Sequence, residues 1–280
     1  MIYLERNSKV RVPKVYAAFT SQDLDQFGWD EKTDEKTDEK TDEKTDEKST
    51  YYYLITEFIE GGTISNLSFD MTWAANQKIE DLLAEQIRNL RSVPPENPNL
   101  FGRIGGREFP LRPAMFVSPP APTFDDYGPW DYETFVDRFL HSGLMNKLAQ
   151  CDGKITNLER LMFDHARSAM LDIVGLNERQ PVLSHLDITP RNIMIKGATY
   201  NENNKVVDVE EVILIDWEYM CWAPGWIEAA LICLETRPSG PQSTFSYYAN
   251  NALSAMGHTN LLTATFLAFC MDDHVTFQIV

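Results

Sequence analysis

The chain has 280 residues, enough for one large core or two smaller ones, and its hydrophobic content of 43% is ordinary for a globular protein. Its formal net charge of −17 argues against nucleic acid as a partner, because the phosphates would be repelled. Charged residues among the first fourteen positions exclude a signal-peptide core, and the apolar run at residues 261–271 is too short to span a bilayer. The four cysteines are scattered without a CxxC pair. We therefore expect a soluble cytoplasmic protein with no membrane partner.

The first predicted elements are the end of a helix at residues 1–8 and two strands at residues 15–19 and 51–58. The second strand is aromatic and β-branched and is followed by a pair of glycines. Between the strands, residues 30–48 repeat the sequence Asp-Glu-Lys-Thr, which offers no apolar face to bury. We expect a solvated, disordered insertion at about residues 28–50; a metal-binding or partner-binding role is the alternative.

A helical period begins at residue 72 and ends at Pro94-Pro95. Its predicted inward face consists of Ile79, Leu82, Leu83, Ile87 and Leu90. Residues 94–130 are rich in proline and glycine and predict a long irregular crossing. The glycines at 102, 105 and 106 lack the spacing of a phosphate loop and are interpreted as turn residues.

Two more helices are predicted, at residues 131–148 and 156–174. The first has an apolar face made of Phe135, Phe139, Leu140, Leu144 and Leu148. The second begins with the capping box Thr156-x-x-Glu159. Its predicted inward face is Leu158, Leu161, Met162, Ala166, Met170 and Ile173.

Three polar side chains then fall at strand ends or on a tight loop. Residues 183–195 read LSHLDITPRNIMI, and residues 214–218 read LIDWE. Asp187, Asn192 and Asp216 are placed where a rigid scaffold can hold them over one small volume. Phosphoryl transfer requires such a set, because one Asp accepts the proton of the attacking hydroxyl while an Asn and a second Asp hold magnesium on the nucleotide phosphates.

The remaining segments carry no such cluster. Residues 197–211 predict an extended hairpin between two apolar strands. Residues 226–234 predict a helix, and two amphipathic helices are expected near residues 243–256 and 260–271.

The motif H-x-D-x-x-x-x-N followed by I-D-W resembles the aminoglycoside phosphotransferase family, which has a protein-kinase-like fold. The resemblance implies an α+β protein with a truncated small β lobe and a larger, mainly helical lobe, and it implies ATP and Mg²⁺ as cofactors. By motif position, Asp187 would be the catalytic base, Asn192 and Asp216 the magnesium ligands, and His185 a residue that braces the loop. The family usually has glycine where Leu186 stands.

Two further segments are similar to the family. Residues 10–19, VRVPKVYAAF, resemble the connection from the small lobe's helix to its fourth strand, so the glycine-rich loop and the strand lysine are expected to be missing. The strand at 51–58 resembles the last small-lobe strand, whose hinge backbone at Glu57, Phe58 and Ile59 would bind adenine; a plain core strand is the alternative. In WAPGWIEAAL, Glu228 could line the acceptor pocket or serve as a buried structural residue.

The resemblance implies two parts, a nucleotide-binding remnant at residues 1–60 and a large lobe with the catalytic loop and metal site at residues 61–280. The first functional hypothesis is an ATP-dependent phosphotransferase acting on a hydroxyl of a small molecule, which the acidic composition suggests is cationic. The second is a catalytically inactive kinase-like protein, either a binding or regulatory module or a truncated product. The third is an unrelated acidic α+β protein in which the motifs arise by chance.

Overall fold

The computed structural model describes residues 1–21, 51–67, 71–109, 127–150, 153–235 and 252–256. Helices and strands alternate along these residues, so the predicted mixture of helix and strand is confirmed. The helices are α1 (Ile2–Asn7), α2 (Ile64–Leu67), α3 (Trp73–Arg91), α4 (Tyr132–Gln150), α5 (Asn157–Ser168) and α6 (Ile227–Glu235). The strands are β1 (Val15–Ser21), β2 (Tyr51–Thr56), β3 (Gly61–Thr63), β4 (Pro181–Ser184), β5 (Ile193–Lys196), β6 (Thr199–Tyr200), β7 (Val206–Asp208), β8 (Glu211–Leu214) and β9 (Cys221–Pro224).

The first two strands form an antiparallel hairpin of their own. Phe19 pairs with Tyr53 in its register, and their rings stack with centroids 5.0 Å apart. Aromatic and β-branched side chains favour such a pleated pair, so the two predicted strands are confirmed, although β2 ends at Thr56. The predicted insertion at residues 28–50 lies outside the described residues.

The sheet that carries the polar motif is antiparallel, with the strand order β3-β5-β8. Its first strand begins at Gly61, which has a φ of +154° and lies so close to β5 that a Cβ atom would stand 2.0 Å from the Ile195 carbonyl oxygen. A second antiparallel pair joins β4 to β9. The predicted hairpin at 197–211 is confirmed by the pairing of β6 with β7.

Helix α3 covers this sheet and provides one wall of the first core. Thr72 caps it by accepting a hydrogen bond from the Ala75 N–H. Four of the five predicted inward residues are buried and Leu82 is partly buried, which confirms the apolar face. Burying a side chain of this size stabilises the fold by about 1.5–3 kcal/mol, so this face fixes α3 on the strands.

The second core lies between α4, α5 and the segment that follows β9. The capping box of Thr156 and Glu159 is present. The predicted inward face of α5 is wrong at two positions, because Leu158 is 51% and Leu161 is 60% exposed. Ala166 and Met170 are buried as predicted, and Phe163, which the prediction left out, is buried with them. The stripe that contains Leu158 and Leu161 and the stripe that contains Phe163 both fit the helical period. The stripe with Phe163 is the one that is buried, because α5 packs against α4.

The predicted irregular crossing contains no regular helix in its described part, residues 94–109 and 127–131. Gly105 and Gly106 have φ values of +79° and +63°, which confirms them as turn residues. In the described part of the chain, no helix has the length and apolar character needed to cross a membrane.

Candidate active site

The register of β5 and β8 brings two parts of the polar motif together. Ile193, the first residue of β5, pairs with Leu214, the last residue of β8. Asn192 directly precedes the first strand and Asp216 follows shortly after the second, so both lie at the same end of the sheet. The Ile215 N–H donates to the Asn192 carbonyl oxygen at 3.0 Å, which fixes this junction.

The pairing of β4 with β9 positions the third part of the motif, which is the loop that carries Asp187. Ser184 at the end of β4 pairs with Cys221 at the start of β9. The loop that begins at His185 therefore leaves the sheet beside the turn that begins at Asp216. A single cluster at the strand ends, as the sequence predicts, follows from these two registers.

His185 joins the loop to the turn through both ring nitrogens. It is fully buried, and its Nε2 donates to the Ile215 carbonyl oxygen at 2.8 Å. Its Nδ1 accepts the Asp187 N–H at 3.2 Å, and its ring lies 4.5 Å from that of Trp217. Burial lowers the pKa of His185 to about 4, so the imidazole is neutral and positions the loop without reacting.

Glu228 lies beneath the loop and is 3% exposed. Its two carboxylate oxygens accept the N–H groups of His185 and Leu186, each at 2.7 Å. Burial raises the pKa of Glu228 to about 7, against the effect of these donors and of the charge on Arg91. This placement corresponds to the buried structural role, and Glu228 is absent from the lining of the cleft described below. A place for Glu228 in an acceptor pocket stays a prediction.

Asp187 and Asn192 contact each other directly. The Asn192 Nδ2 donates to the Asp187 Oδ2 at 2.6 Å and to the Asp187 carbonyl oxygen at 3.0 Å. Because both contacts use the amide nitrogen, the amide oxygen of Asn192 remains available as a ligand.

Asp216 has a left-handed backbone conformation, with φ at +64°. Partial burial raises the pKa of Asp216, and the negative charges of Glu218 and Asp187 raise it further. The charge of Asp187 therefore disfavours the charged form of Asp216, and a cation bound there would offset this repulsion.

The donor set at this point suits a hard cation. Asp216 offers a carboxylate and Asn192 an amide oxygen, and magnesium prefers oxygen ligands of these kinds together with water and phosphate. In the described residues, no group of three His, Cys, Asp or Glu side chains forms a metal cluster. The two residues therefore fit a magnesium ion that nucleotide phosphates also coordinate, and do not fit an all-protein metal cage.

A cleft of about 560 Å³ opens beside this cluster. Its lining includes Ile215, Asp216 and Trp217 together with the predicted hinge residues. Its remaining lining residues are Met1, Pro13, Leu54, Thr56, Met194 and Glu218. The predicted hinge and one predicted metal ligand thus border the same cavity.

The three hinge residues differ in their surroundings. Phe58 is 88% exposed and Ile59 is buried. The Glu57 N–H donates to the Lys14 carbonyl oxygen at 2.7 Å, so this donor is already used within the protein. The carboxylate of Glu57 accepts hydrogen bonds from both terminal nitrogens of Arg11, and these bonds together with the Lys14 N–H lower the pKa of Glu57 to about 2.

Two charged residues at the cluster were not predicted. Arg191 contacts the Asp187 carboxylate, and Glu218 lines the cleft. Arg191 lies four residues after Asp187 and directly before Asn192, so its position within the motif could have identified it from the sequence. Glu218 lies two residues after Asp216.

The model of the phosphotransferase enzyme family (APH) matches residues 1–256. The chain belongs to this family. The predicted resemblance is confirmed, and membership supports a kinase-like fold and a phosphotransferase activity on small molecules.

Two solved structures are similar to this member of the phosphotransferase enzyme family. A thermostable mutant of the aminoglycoside phosphotransferase APH(4)-Ia, in its apo form, is 14% identical with a TM-score of 0.46, and the match covers 95% of this chain and 71% of that one. Spectinomycin phosphotransferase APH(9)-Ia, in complex with ADP and spectinomycin, is 14% identical with a TM-score of 0.32, and the match covers 81% and 64%. No curated protein matches the chain.

Proposed function

We propose that the protein is an ATP-dependent phosphotransferase that phosphorylates a hydroxyl group of a small molecule. The observation that carries the proposal is the position of Asp187, Asn192 and Asp216 at one end of the paired strands, beside a cleft that reaches the hinge residues. Family membership supports the same reaction class. ATP is the proposed donor and the cytoplasm is the proposed compartment.

Asp187 is the proposed catalytic base. Its side chain is 14% exposed, and the amide of Asn192 holds one of its oxygens. A carboxylate held in this way orients an acceptor hydroxyl and accepts its proton as the oxygen attacks the terminal phosphorus of ATP. The bond from that phosphorus to ADP breaks, and ADP leaves.

Asn192 and Asp216 are the proposed magnesium ligands. When bound, the ion would neutralise phosphate charge and fix the orientation of the phosphate chain. The raised pKa of Asp216, caused by partial burial and by the charges of Glu218 and Asp187, supports this role, because a bound cation would stabilise the charged carboxylate.

The adenine of ATP is proposed to lie against the backbone at Glu57, Phe58 and Ile59. Since the Glu57 N–H is already paired with Lys14, the proposed contacts use the other backbone groups of this segment. The proposed organisation is a nucleotide-binding part at residues 1–60, with an insertion at about 28–50, followed by the large lobe at 61–280.

The acceptor is proposed to be a cationic hydroxyl compound. Asp216 and Glu218 border the cleft, and the whole chain carries a net charge of −17. Such a surface attracts cations and repels nucleic acid. Aminoglycosides, spectinomycin and amino alcohols are the first compounds to test, and neutral sugars serve as the comparison.

Thermal unfolding with MgATP tests the nucleotide site. A ligand at a hundred times its Kd stabilises the folded state by about 2.7 kcal/mol, which is a readily measured rise in Tm. Asp216→Asn should abolish the rise, and Asn is chosen because it tolerates the left-handed conformation at this position. Asp208→Asn, at an exposed ion pair, is the control and should leave the rise intact. Absence of a rise in the wild-type protein at millimolar MgATP would contradict the proposal.

Release of ADP in the presence of the acceptor panel tests turnover. Asp187→Asn should keep most of the MgATP-dependent rise in Tm and lose transfer, because Asn cannot accept the proton. If this variant still transferred the phosphoryl group, Asp187 would not be the catalytic base.

A catalytically inactive kinase-like protein is the second candidate function. It is favoured by the charge of the cleft, whose described lining residues contain three carboxylates and no lysine or arginine. The paired β1 and β2 also form a sheet of only two strands within the described residues, and such a small sheet is marginal alone. Nucleotide binding without ADP release across the acceptor panel would favour this candidate.

A further inference from the structure

Among the described residues that line the proposed nucleotide cleft there is no lysine or arginine side chain. The described lining residues include the carboxylates of Glu57, Asp216 and Glu218, of which Glu57 is paired with Arg11. A bound phosphate chain would add further negative charge to this cavity. Positioning and neutralising that charge is most of the catalytic work in phosphoryl transfer, so a basic side chain from outside this lining would add to what magnesium supplies.

Arg191 is the basic residue that the structure places at the predicted catalytic residues. It lies in a short 3₁₀-helix, Pro190–Asn192, inside the motif. One of its terminal nitrogens is 3.3 Å from each oxygen of the Asp187 carboxylate. Its positive charge also acts on Asp216. Arg191 therefore contacts the proposed base, and its charge also reaches a proposed magnesium ligand.

The contact between Arg191 and Asp187 is weak enough to exchange. Both distances lie at the long end of the hydrogen-bond range, and a single nitrogen makes them. The Arg191 side chain is 66% exposed, and exposed ion pairs contribute little because water competes for them. The Asn192 contact to the same carboxylate is much shorter, at 2.6 Å, so Asp187 stays in place without the arginine.

A phosphate is a better partner for this guanidinium than the carboxylate it now contacts. The planar donor group of arginine binds two phosphate oxygens at once, and these charge-assisted bonds are shorter and stronger than the present ones. Turning from Asp187 to a phosphate would also free the carboxylate to accept the proton of the acceptor hydroxyl.

We propose that Arg191 is a catalytic phosphate-binding residue, which leaves Asp187 when MgATP binds and contacts the terminal phosphoryl group during its transfer. The inference rests on the proposed function and deepens it. The acceptor oxygen forms its bond to the terminal phosphorus, the bond from that phosphorus to ADP breaks, and the hydroxyl proton moves to Asp187. Arg191 remains protonated throughout and stabilises the charge on the transferred oxygens.

Binding measurements by calorimetry isolate this contact without knowledge of the acceptor. MgATP and MgADP differ by the terminal phosphoryl group, and adenosine lacks all phosphates. Arg191→Ala should weaken the binding of MgATP by about tenfold or more and leave the binding of adenosine unchanged. The preference for MgATP over MgADP should therefore fall. Arg191→Lys should keep part of the preference, because lysine retains the charge and loses the two-point contact.

Turnover gives a second readout with any acceptor that the wild-type protein phosphorylates. Removing a donor that stabilises transition-state charge costs about 10²–10³ in kcat, and KM for the acceptor should change far less. Lys78→Ala removes an exposed ion pair with Asp208 away from the cleft and is the matched control, with wild-type binding and turnover expected. The Tm of each variant without ligand should match the wild type, because the Arg191 contact is exposed.

The outcomes separate this inference from the function on which it rests. A wild-type protein that fails to bind MgATP overturns both. A wild-type protein that binds MgATP, together with an Arg191→Ala variant of unchanged ATP preference and kcat, overturns the role of Arg191 alone. A faster Arg191→Ala variant also overturns it, since the arginine would then restrain Asp187. Loss of the ATP preference in Arg191→Ala, with partial recovery in Arg191→Lys, supports it.

Discussion

Leu186 has a backbone conformation that suits glycine better than leucine. Its φ is +66°, and the left-handed region costs a residue with a Cβ about 1–2 kcal/mol. The surrounding contacts hold it there, because the side chain is buried and its N–H donates to Glu228 at 2.7 Å. The glycine expected from the family resemblance would avoid this cost. Leucine has the strained backbone but gains the burial of an apolar side chain.

Substitution at Leu186 separates these two effects. Both Leu186→Ala and Leu186→Gly should destabilise the protein by about 2–4 kcal/mol, because each leaves a cavity. Leu186→Gly should nevertheless be more stable than Leu186→Ala by about 1 kcal/mol, since glycine has no strain at positive φ. Urea unfolding of the three proteins measures the difference.

The matched control is Leu183, which is equally buried in β4 and has no positive φ. There the ordinary order should hold, with the glycine variant less stable than the alanine variant. The interpretation of Leu186 would be wrong if its two variants followed the same order as those of Leu183.

At the scale of elements, an ion-pair network joins three segments around the predicted hinge. Arg11, between α1 and β1, pairs with Glu57 after β2 and lies 3.5 Å from Glu211 of β8. Lys196 of β5 contacts Glu211 at 3.3 Å. The hairpin is thus tied to the sheet that carries the proposed active site.

Glu57 makes this tie dependent on pH. Its pKa is lowered from 4.5 to about 2 by Arg11 and the Lys14 N–H, with a smaller effect from Lys196. A lowered carboxyl pKa stabilises the folded state fully above pH 4.5, and the contribution is lost as the pH falls towards 2. Glu57→Gln should therefore reduce the free energy of unfolding by about 1 kcal/mol at pH 7, a value discounted for solvent screening, with little difference from wild type near pH 2.

Urea unfolding at several pH values between 2 and 7 measures this convergence. Asp208→Asn, at an exposed ion pair with Lys78, is the control and should have a smaller effect at pH 7. A difference between Glu57→Gln and wild type that stayed constant over the whole range would exclude ionisation of Glu57 as its source.

The sequence predicts elements well where one apolar stripe is unambiguous. In α3 a single stripe exists, and it is the one that packs on the strands. In α5 two stripes satisfy the same period, so the choice between Leu161 and Phe163 depends on where α4 lies, which no local pattern contains.

The same limit applies to the candidate site. Asp187 and Asn192 are close in sequence, and the pairing that places Asp216 beside them follows from apolar strands that the sequence also shows. Glu228 lies about forty residues beyond the loop, and its contacts are to backbone N–H groups, which have no side-chain signature in sequence. Its role in positioning the loop therefore became visible only in the structure.

At the scale of the whole molecule, like charges act against the compact state. The net charge is −17, and the ion pairs at the surface, such as Lys78–Asp208 and Arg167–Asp137, are exposed. Exposed pairs contribute about 0–1 kcal/mol each, so their loss in salt is a small effect. Repulsion among the excess carboxylates extends over longer distances and is relieved by the same salt.

Stability should therefore increase with ionic strength. Between about 0.01 M and about 0.15 M salt the Debye length falls from ~30 Å to ~8 Å, so repulsion between distant carboxylates is screened first. The Tm should rise over this range and then level off, and differential scanning calorimetry in sodium chloride measures it. Potassium chloride should give the same curve, because screening depends on charge and concentration and not on a specific site. A Tm that fell as salt was added would mean that the surface ion pairs outweigh the repulsion of the acidic excess.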